Sequence, residues 1–469
     1  MSSFSGLNTA LSSLIAQRQA LDVAGQNIAN ANTVGYTRQR ASLASIEALS
    51  SPSMFSAGLT TGNGTGVTGI ARLGDIFLDA RVRAETGSAS FAATKADAYD
   101  RLESTIAEPG DLGVSDALQK FWAGWEDVGN NPGSGAFREV LLKNATALTQ
   151  RISAGHAAVA TQWGQTRTEL TAAVVEVNSS AEMVANLNQS IRGVLVSGGS
   201  ANELIDQRNL LITGLSALVG ASAVERPDGT VDVLVGGNAL VRGDRANSLE
   251  INANSLVMGS DVTVSWTGGA QLGAEAGAVV GMVNVLATAT NGGVLTGVAA
   301  SYDALAGNLI TAVKDQHYLA QTAAGVLGGD FFRPAPTTAG SSAAATFAVA
   351  ITDIAMIAVG KPGGGALDGS MGDDMAQLAK VTGGPDAQWT KFVADIGVRS
   401  RSATQSAAIT EATRSNAEGL QMSNASVDVD EEAVNMLTYQ RAYEGAARVL
   451  TAIDAMLDTL INRTGLVGR

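Results

Sequence analysis

The chain has 469 residues, 45% of them hydrophobic and only 16% charged, which is enough to bury a substantial core divided over roughly two to four domains and excludes disorder throughout. A net charge of -14 leaves no basic patch, which argues against nucleic-acid binding and against attraction to anionic membranes. The absence of cysteine excludes disulfides, thiolate metal sites and cysteine nucleophiles, and no apolar run is long enough for membrane insertion.

The first predicted element is a helix with a heptad seam at Phe4, Leu7, Leu11, Leu14, Leu21 and Ile28, interrupted by Arg18 and Gly25. The run Asn27-Ile28-Ala29-Asn30-Ala31-Asn32-Thr33-Val34-Gly35-Tyr36 then predicts a helix stop and a turn, because Asn tolerates left-handed backbone and Gly35 adopts it freely. Thr37 to Ile76 reads as an extended connector or hairpin.

Helical periodicity resumes from Asp75 to about Leu215, clearest at Leu170, Val174, Val177, Ala181, Val184, Ile191 and Leu195, with Asn188 on the same face. Gly129 to Gly135 breaks it through Pro132 and three glycines, which predicts a helical hairpin. Between Ala221 and Leu272 the period changes to two, as in Val231-Asp232-Val233-Leu234-Val235 and Val262-Thr263-Val264-Ser265-Trp266. A second segment, Thr346 to Val359, is expected to add strands to the same region, before helix returns from about Asp373 to Asn416.

The last helix carries an unbroken seam at Met436, Tyr439, Tyr443, Ala446, Leu450, Ile453, Leu457 and Leu460. Ala442, Val449 and Met456 widen it to three positions of seven, so the helix can touch a neighbour on each side. Periodicity leaves two arrangements open, an antiparallel hairpin of the two terminal helices or packing into a polymer of identical subunits.

The expected fold is mainly α with a smaller β domain. Residues 1–45 and 425–469 form a terminal coiled-coil domain, and residues 46–215, 272–339 and 372–424 an α-helical rod with an extended connector. Residues 216–271 and 340–371 form a β-rich outer domain inserted in the middle of the chain.

At Asn27, Asn30, Asn32, Thr33, Gly35 and Tyr36, followed by Thr37-Arg38-Gln39, the chain resembles the flagellar axial proteins of bacteria, with Val34 where many relatives have Pro. Leu204-Ile205-Asp206-Gln207-Arg208, Asp315-Gln316-His317, Gly329-Asp330-Phe331-Phe332 and Val427-Asp428-Val429-Asp430-Glu431-Glu432-Ala433 narrow the resemblance to the hook-associated branch at the hook-filament junction. The resemblance implies a structural adaptor subunit, exported by the type III pathway without a cleaved signal peptide and placed outside the cell in the flagellum. It further implies ring assembly with copies of itself, contact with the hook protein and with a second junction protein towards the filament, and an export chaperone held on Met436 to Leu460. A hook or rod axial subunit is the nearest alternative.

No reading from the residues supports an enzyme, a cofactor or a metal site. Gly64-Thr65-Gly66-Val67-Thr68-Gly69 fits the dinucleotide pattern GxGxxG but lacks its strand and helix flanks, and is expected to be a loop. Only His156 and His317 exist, both expected to be structural, and Asp428, Asp430, Glu431 and Glu432 are explained by helix capping and solubility. Asp206 and Arg208 are expected either to form a buried pair fixing helix register or to lie on a solvated face. A secreted cell-wall hydrolase would require paired carboxylates in a cleft or a metal site, and neither is legible.

Overall fold

The computed structural model describes residues 3–47, 62–252, 256–338 and 340–463. Its two terminal helices, α1 (Ser3–Ala29) and α10 (Val429–Asp458), pair antiparallel, with Gly6 against Ile453 at one end and Asn27 against Glu432 at the other. α1 ends where Asn30 bonds back to the Gln26 carbonyl and Gly35 takes φ +80°. The chain then forms an antiparallel hairpin, β1 (Gln39–Ser45) with β2 (Thr65–Arg72), bulged between Ser42 and Leu43. The GxGxxG run thus lies at the start of β2 and in its ladder, where a loop was expected. Gly64 permits the hairpin to approach α1, since at φ +98° a Cβ there would lie 2.0 Å from the Ser12 hydroxyl.

Asp75 opens α2 (Ile76–Ile106) by accepting from the Phe77 and Leu78 amides. α2 runs antiparallel to α9 (Pro385–Ala425), the two joined near one end by a Gln421 to Asp79 hydrogen bond. α3 (Val114–Asn130) and α4 (Gly135–Val196) form the expected hairpin across Pro132 and Gly133. α4 has 62 residues, about 93 Å at 1.5 Å per residue, and is the spine of the molecule. Leu141, Ala145, Leu148, Ile152, Val159, Trp163, Leu170, Val174, Val177, Ala181, Val184 and Ile191 bury one stripe along it, whereas Leu195 is exposed. α5 (Asn202–Val219) and α6 (Ala278–Leu286) pack on this spine and α2, α7 (Val294–His317) on the spine, and α8 (Ser370–Gln377) on α3 and α7.

The period-two region forms a four-stranded antiparallel sheet in sequence order, β3 (Ser222–Glu225), β4 (Val231–Val235), β5 (Asn238–Arg242) and β6 (Arg245–Ala246), plus the pair β7 (Leu249–Ile251) and β8 (Val264–Trp266). Val231, Val233 and Val235 alternate inward, and Asn188 of α4 docks them by donating to the Val231 and Gly243 carbonyls while accepting from the Val231 amide. The chain is therefore mainly α with a smaller β region in its middle.

Thr346 to Val359 departs from the expectation. It has a 3-10 turn at Ile354–Met356 and one isolated bridge, Phe332 to Val349, and among the described residues it joins no sheet. Side chains take several of the backbone polar groups in and beside it. Arg138 donates to the Ile354 and Ile357 carbonyls, Ser153 to the Ala344 and Phe347 carbonyls, and the Ala358 amide donates to His317. Residues 340–371 consequently lie against the first half of α4, about 50 to 75 Å along the spine from Asn188.

Candidate assembly site at the terminal helix pair

Asn27 is 1% exposed and uses its whole amide. Its Oδ1 accepts from the Gln39 amide at 3.0 Å and the Tyr36 hydroxyl at 2.9 Å, while its Nδ2 donates to the Gln39 carbonyl at 2.8 Å and to Glu432 Oε2 at 3.1 Å. Arg38 reaches the same carboxylate, with Nε 2.8 Å and Nη2 2.6 Å from Glu432 Oε1, and its Nη1 donates to Glu431 at 3.0 Å. These charge-assisted bonds, the one to Glu431 foremost, raise the Arg38 pKa. Burial together with the nearby Asp206, Glu203 and Glu432 charges pushes the Tyr36 phenol up to about 12, so it stays a donor.

A second arm ties the turn to the rod. Asp206 of α5 accepts from the Thr37 amide at 3.1 Å and from Arg72 Nε at 2.8 Å, and Arg72 also donates to the Thr37 hydroxyl. Burial raises the Asp206 pKa, opposed by Arg72 and the Thr37 amide. Asn202 adds bonds to the Gln39 side chain and the Ile70 carbonyl, and the Arg38 amide donates to Ala425 where α9 ends. Three segments distant in sequence, the Asn-rich turn, Leu204–Arg208 and Val427–Ala433, therefore meet in one buried polar joint between the terminal helices and the rod.

Two expectations need correction here. Asp428 does cap α10, accepting from the Asp430 and Glu431 amides, but Glu432 is 3% exposed and holds Asn27 and Arg38, a role capping and solubility did not anticipate. Asp206 and Arg208 do not pair with each other. Arg208 donates to Asn188 and the Gly229 carbonyl at the sheet, and burial lowers its pKa to about 10. Of the two histidines, His317 donates from Nδ1 to the Gly329 carbonyl at 2.6 Å and accepts at Nε2 from Ala358, in contact with Trp125 and Phe331, while His156 faces Ser342.

Within the helix pair the expected seam is only partly inside. Ala446 and Ile453 are buried, whereas Leu7, Leu14, Leu21, Ile28, Met436, Tyr439, Leu450 and Leu457 are half-buried. Leu11, Tyr443 and Leu460 are exposed, and the Phe4 side chain lies outside the described residues. The buried face of α1 is instead Ala10, Ala16, Ala20, Val23, Ala24 and Asn27. Its signal was present in the spacing Ala16, Ala20, Val23, Asn27, hidden because alanine weighs little beside leucine. Asn30 and Thr33 bond within the turn, and Asn32 is exposed.

The pairing leaves a groove of about 570 Å³ between the two helices, lined by Gly6, Ala10, Ala442, Gly445, Ala446 and Val449 among others. Ile15, Val434, Leu437, Val449 and Met456 stand exposed on the same two helices. Among the described residues no three His, Asp or Glu side chains are grouped to hold a metal, and no helix is long and apolar enough to cross a membrane.

Residues 99–332 match the family described as the flagellar hook-associated protein FlgK helical domain. Residues 7–37 match the flagella basal body rod protein family, and 420–463 the flagellar basal body rod FlgEFG protein C-terminal family. The flagellar hook-associated protein 1 of Bacillus subtilis is 29% identical over 100% of both chains. The chain belongs to the flagellar hook-associated protein family. The flagellar hook-associated protein 1 of Salmonella typhimurium is also 29% identical, over 48% of this chain and 40% of that one. The structure of the flagellar hook junction protein FlgK from Burkholderia pseudomallei shares the fold, with a TM-score of 0.63 at 17% identity over 73% of this chain and 100% of that one. As a member of this family, the chain is a structural flagellar component and not an enzyme.

Proposed function

We propose that this chain is the adaptor subunit that joins the hook to the filament, and that the paired terminal helices pack into the inner tube of the axial structure. The observation that carries the reading is the apolar surface of α1 and α10 that remains outside after the two helices have paired. Leu11, Ile15, Tyr443, Val449 and Met456 are exposed in the isolated molecule, and repeated around a ring they would be covered by neighbouring copies. The phenotype of a strain lacking the chain tests this. Intact hooks, absent filaments and filament subunits lost to the medium are expected, and intact filaments would overturn the adaptor reading.

In the same proposal, residues 1–45 and 425–469 form the inner-tube part and the helices from α2 to α9 contact neighbouring rods. The β region of residues 216–271 faces outward, with residues 340–371 assigned to the rod. The partners are further copies of the chain, the hook protein and a second junction protein, reached outside the cell after type III export. An export chaperone would hold Met436 to Leu460 beforehand, covering the face that later meets neighbours; chaperone retained in a pull-down after deletion of these residues would refute that part. The terminal matches to rod families favour one second reading, a hook or rod subunit, for which the deletion strain would lack hooks.

A further inference from the structure

The fully buried apolar part of the α1/α10 interface consists mostly of small side chains. The buried side of α1 offers Ala10, Ala16, Ala20 and Ala24 with one valine, and α10 buries only Ala446 and Ile453 apart from Glu432. Ala16, Ala20 and Ala24, spaced by four residues, present nearly the same profile after a slip of one helical turn, so this packing chooses an axial alignment only weakly. Asn27 and Glu432 break that degeneracy. In the observed alignment the Asn27 amide is fully bonded and the Glu432 carboxylate takes Asn27 and Arg38. A slip of one turn, about 6 Å, would strand a buried amide and a buried carboxylate.

We propose that Asn27 and Glu432 set the axial register of the terminal helix pair, and thereby which apolar side chains are left facing outward. The register is a property of the single chain. Only its consequence for neighbours rests on the assembly reading, so the proposal can fail while that reading stands, and the reverse.

The chain has no cysteine, so introduced pairs report register without background. A Cβ on Gly6 would lie 3.1 Å from Ile453 Cδ1, which makes Gly6→Cys with Ile453→Cys the reporter of the observed alignment. Gly6→Cys with Val449→Cys or with Leu457→Cys reports a slip of one turn in either direction, since each lies about 6 Å further along α10 than Ile453 and the offset adds to the separation across the interface. The purified full chain is oxidised mildly and the crosslinked fraction is read by gel mobility. With Asn27 and Glu432 present, only the Ile453 pair is expected to close. In the Asn27→Leu/Glu432→Leu background, where two apolar side chains replace the polar pair, at least one slipped pair is expected to rise about tenfold.

An unchanged preference for the Ile453 pair in that background would overturn the proposal and assign the register to the tethers at Ala425 and the Asn-rich turn. Far-UV circular dichroism and cooperative unfolding establish that the background is folded. Should it not fold, Glu432→Leu alone is read against Glu432→Gln, which keeps an acceptor for Asn27. Slippage in the Leu variant and not in the Gln variant supports the proposal, and equal patterns overturn it.

Discussion

The Arg38 guanidinium and the Glu432 carboxylate, 394 residues apart in sequence, meet at 2.6 Å at the point where the terminal helix pair joins the rod. Neither side chain is fully exposed to water, so the pair closes the chain on itself inside the joint.

Glu432→Ala removes the shared acceptor and takes one of two partners from Asn27 Nδ2 and the acceptor from Arg38 Nε, while Arg38 Nη1 and Nη2 keep Glu431. The expected loss is about 2 to 4 kcal/mol, towards the lower part of the range for breaking a buried pair because Arg38 keeps Glu431. Urea denaturation of the purified chain measures it, and a midpoint within error of the parent would be inconsistent with the joint described here.

His317 gives the pH dependence a definite sign. Burial holds its imidazole below the ordinary value of 6.5, and the observed bonds require the neutral ring, Nδ1 donating to Gly329 and Nε2 accepting from Ala358. The unfolded chain takes up the proton near 6.5 and the folded chain only at lower pH. Stability from this group is therefore complete above that value and is lost as pH falls below it. The denaturation midpoint should decline between neutral pH and mild acid, and a His317→Gln variant should show a flatter profile.

The contact of α3 with α8 depends on glycine. A Cβ on Gly369 would lie 1.9 Å from the Gly129 carbonyl oxygen, and one on Gly372 2.7 Å from Gly129 Cα. Gly369→Ala should force the two helices apart at a cost of about 1 to 3 kcal/mol, read as a lowered melting temperature. An exposed control, Gly419→Ala, meets no atom within 4 Å and should be neutral or stabilising.

The helices, the turn after α1 and the β region were legible because each carries a local signal: the stripe along α4, the Asn and Gly chemistry of residues 27–36, and the alternation in Val231–Val235. Thr346–Val359 was not, because its β-like composition is overruled by Arg138, Ser153 and His317, which claim its backbone groups from distant elements. The joint was half legible. Asn27 and Tyr36 stood in a recognisable turn, but the partners of Glu432 and Asp206 lie across the fold, and charge spacing along the chain pointed Asp206 at Arg208 when its partner is Arg72. On α10 the seam positions Ala446 and Ile453 are the buried ones, whereas on α1 the leucine positions are half-buried or exposed and the alanines beside them are buried.

The most direct test of the central claim replaces Val449 and Met456, both exposed on α10, by serine. Each change should alter monomer stability by no more than about 0.5 kcal/mol. Purified protein is then added to cells that lack the chain, which bypasses export, and regrowth of filaments is scored by electron microscopy. The parent chain should restore filaments while the equally stable Val449→Ser/Met456→Ser protein should not; filaments of normal number and length with the double variant would contradict assembly through this face.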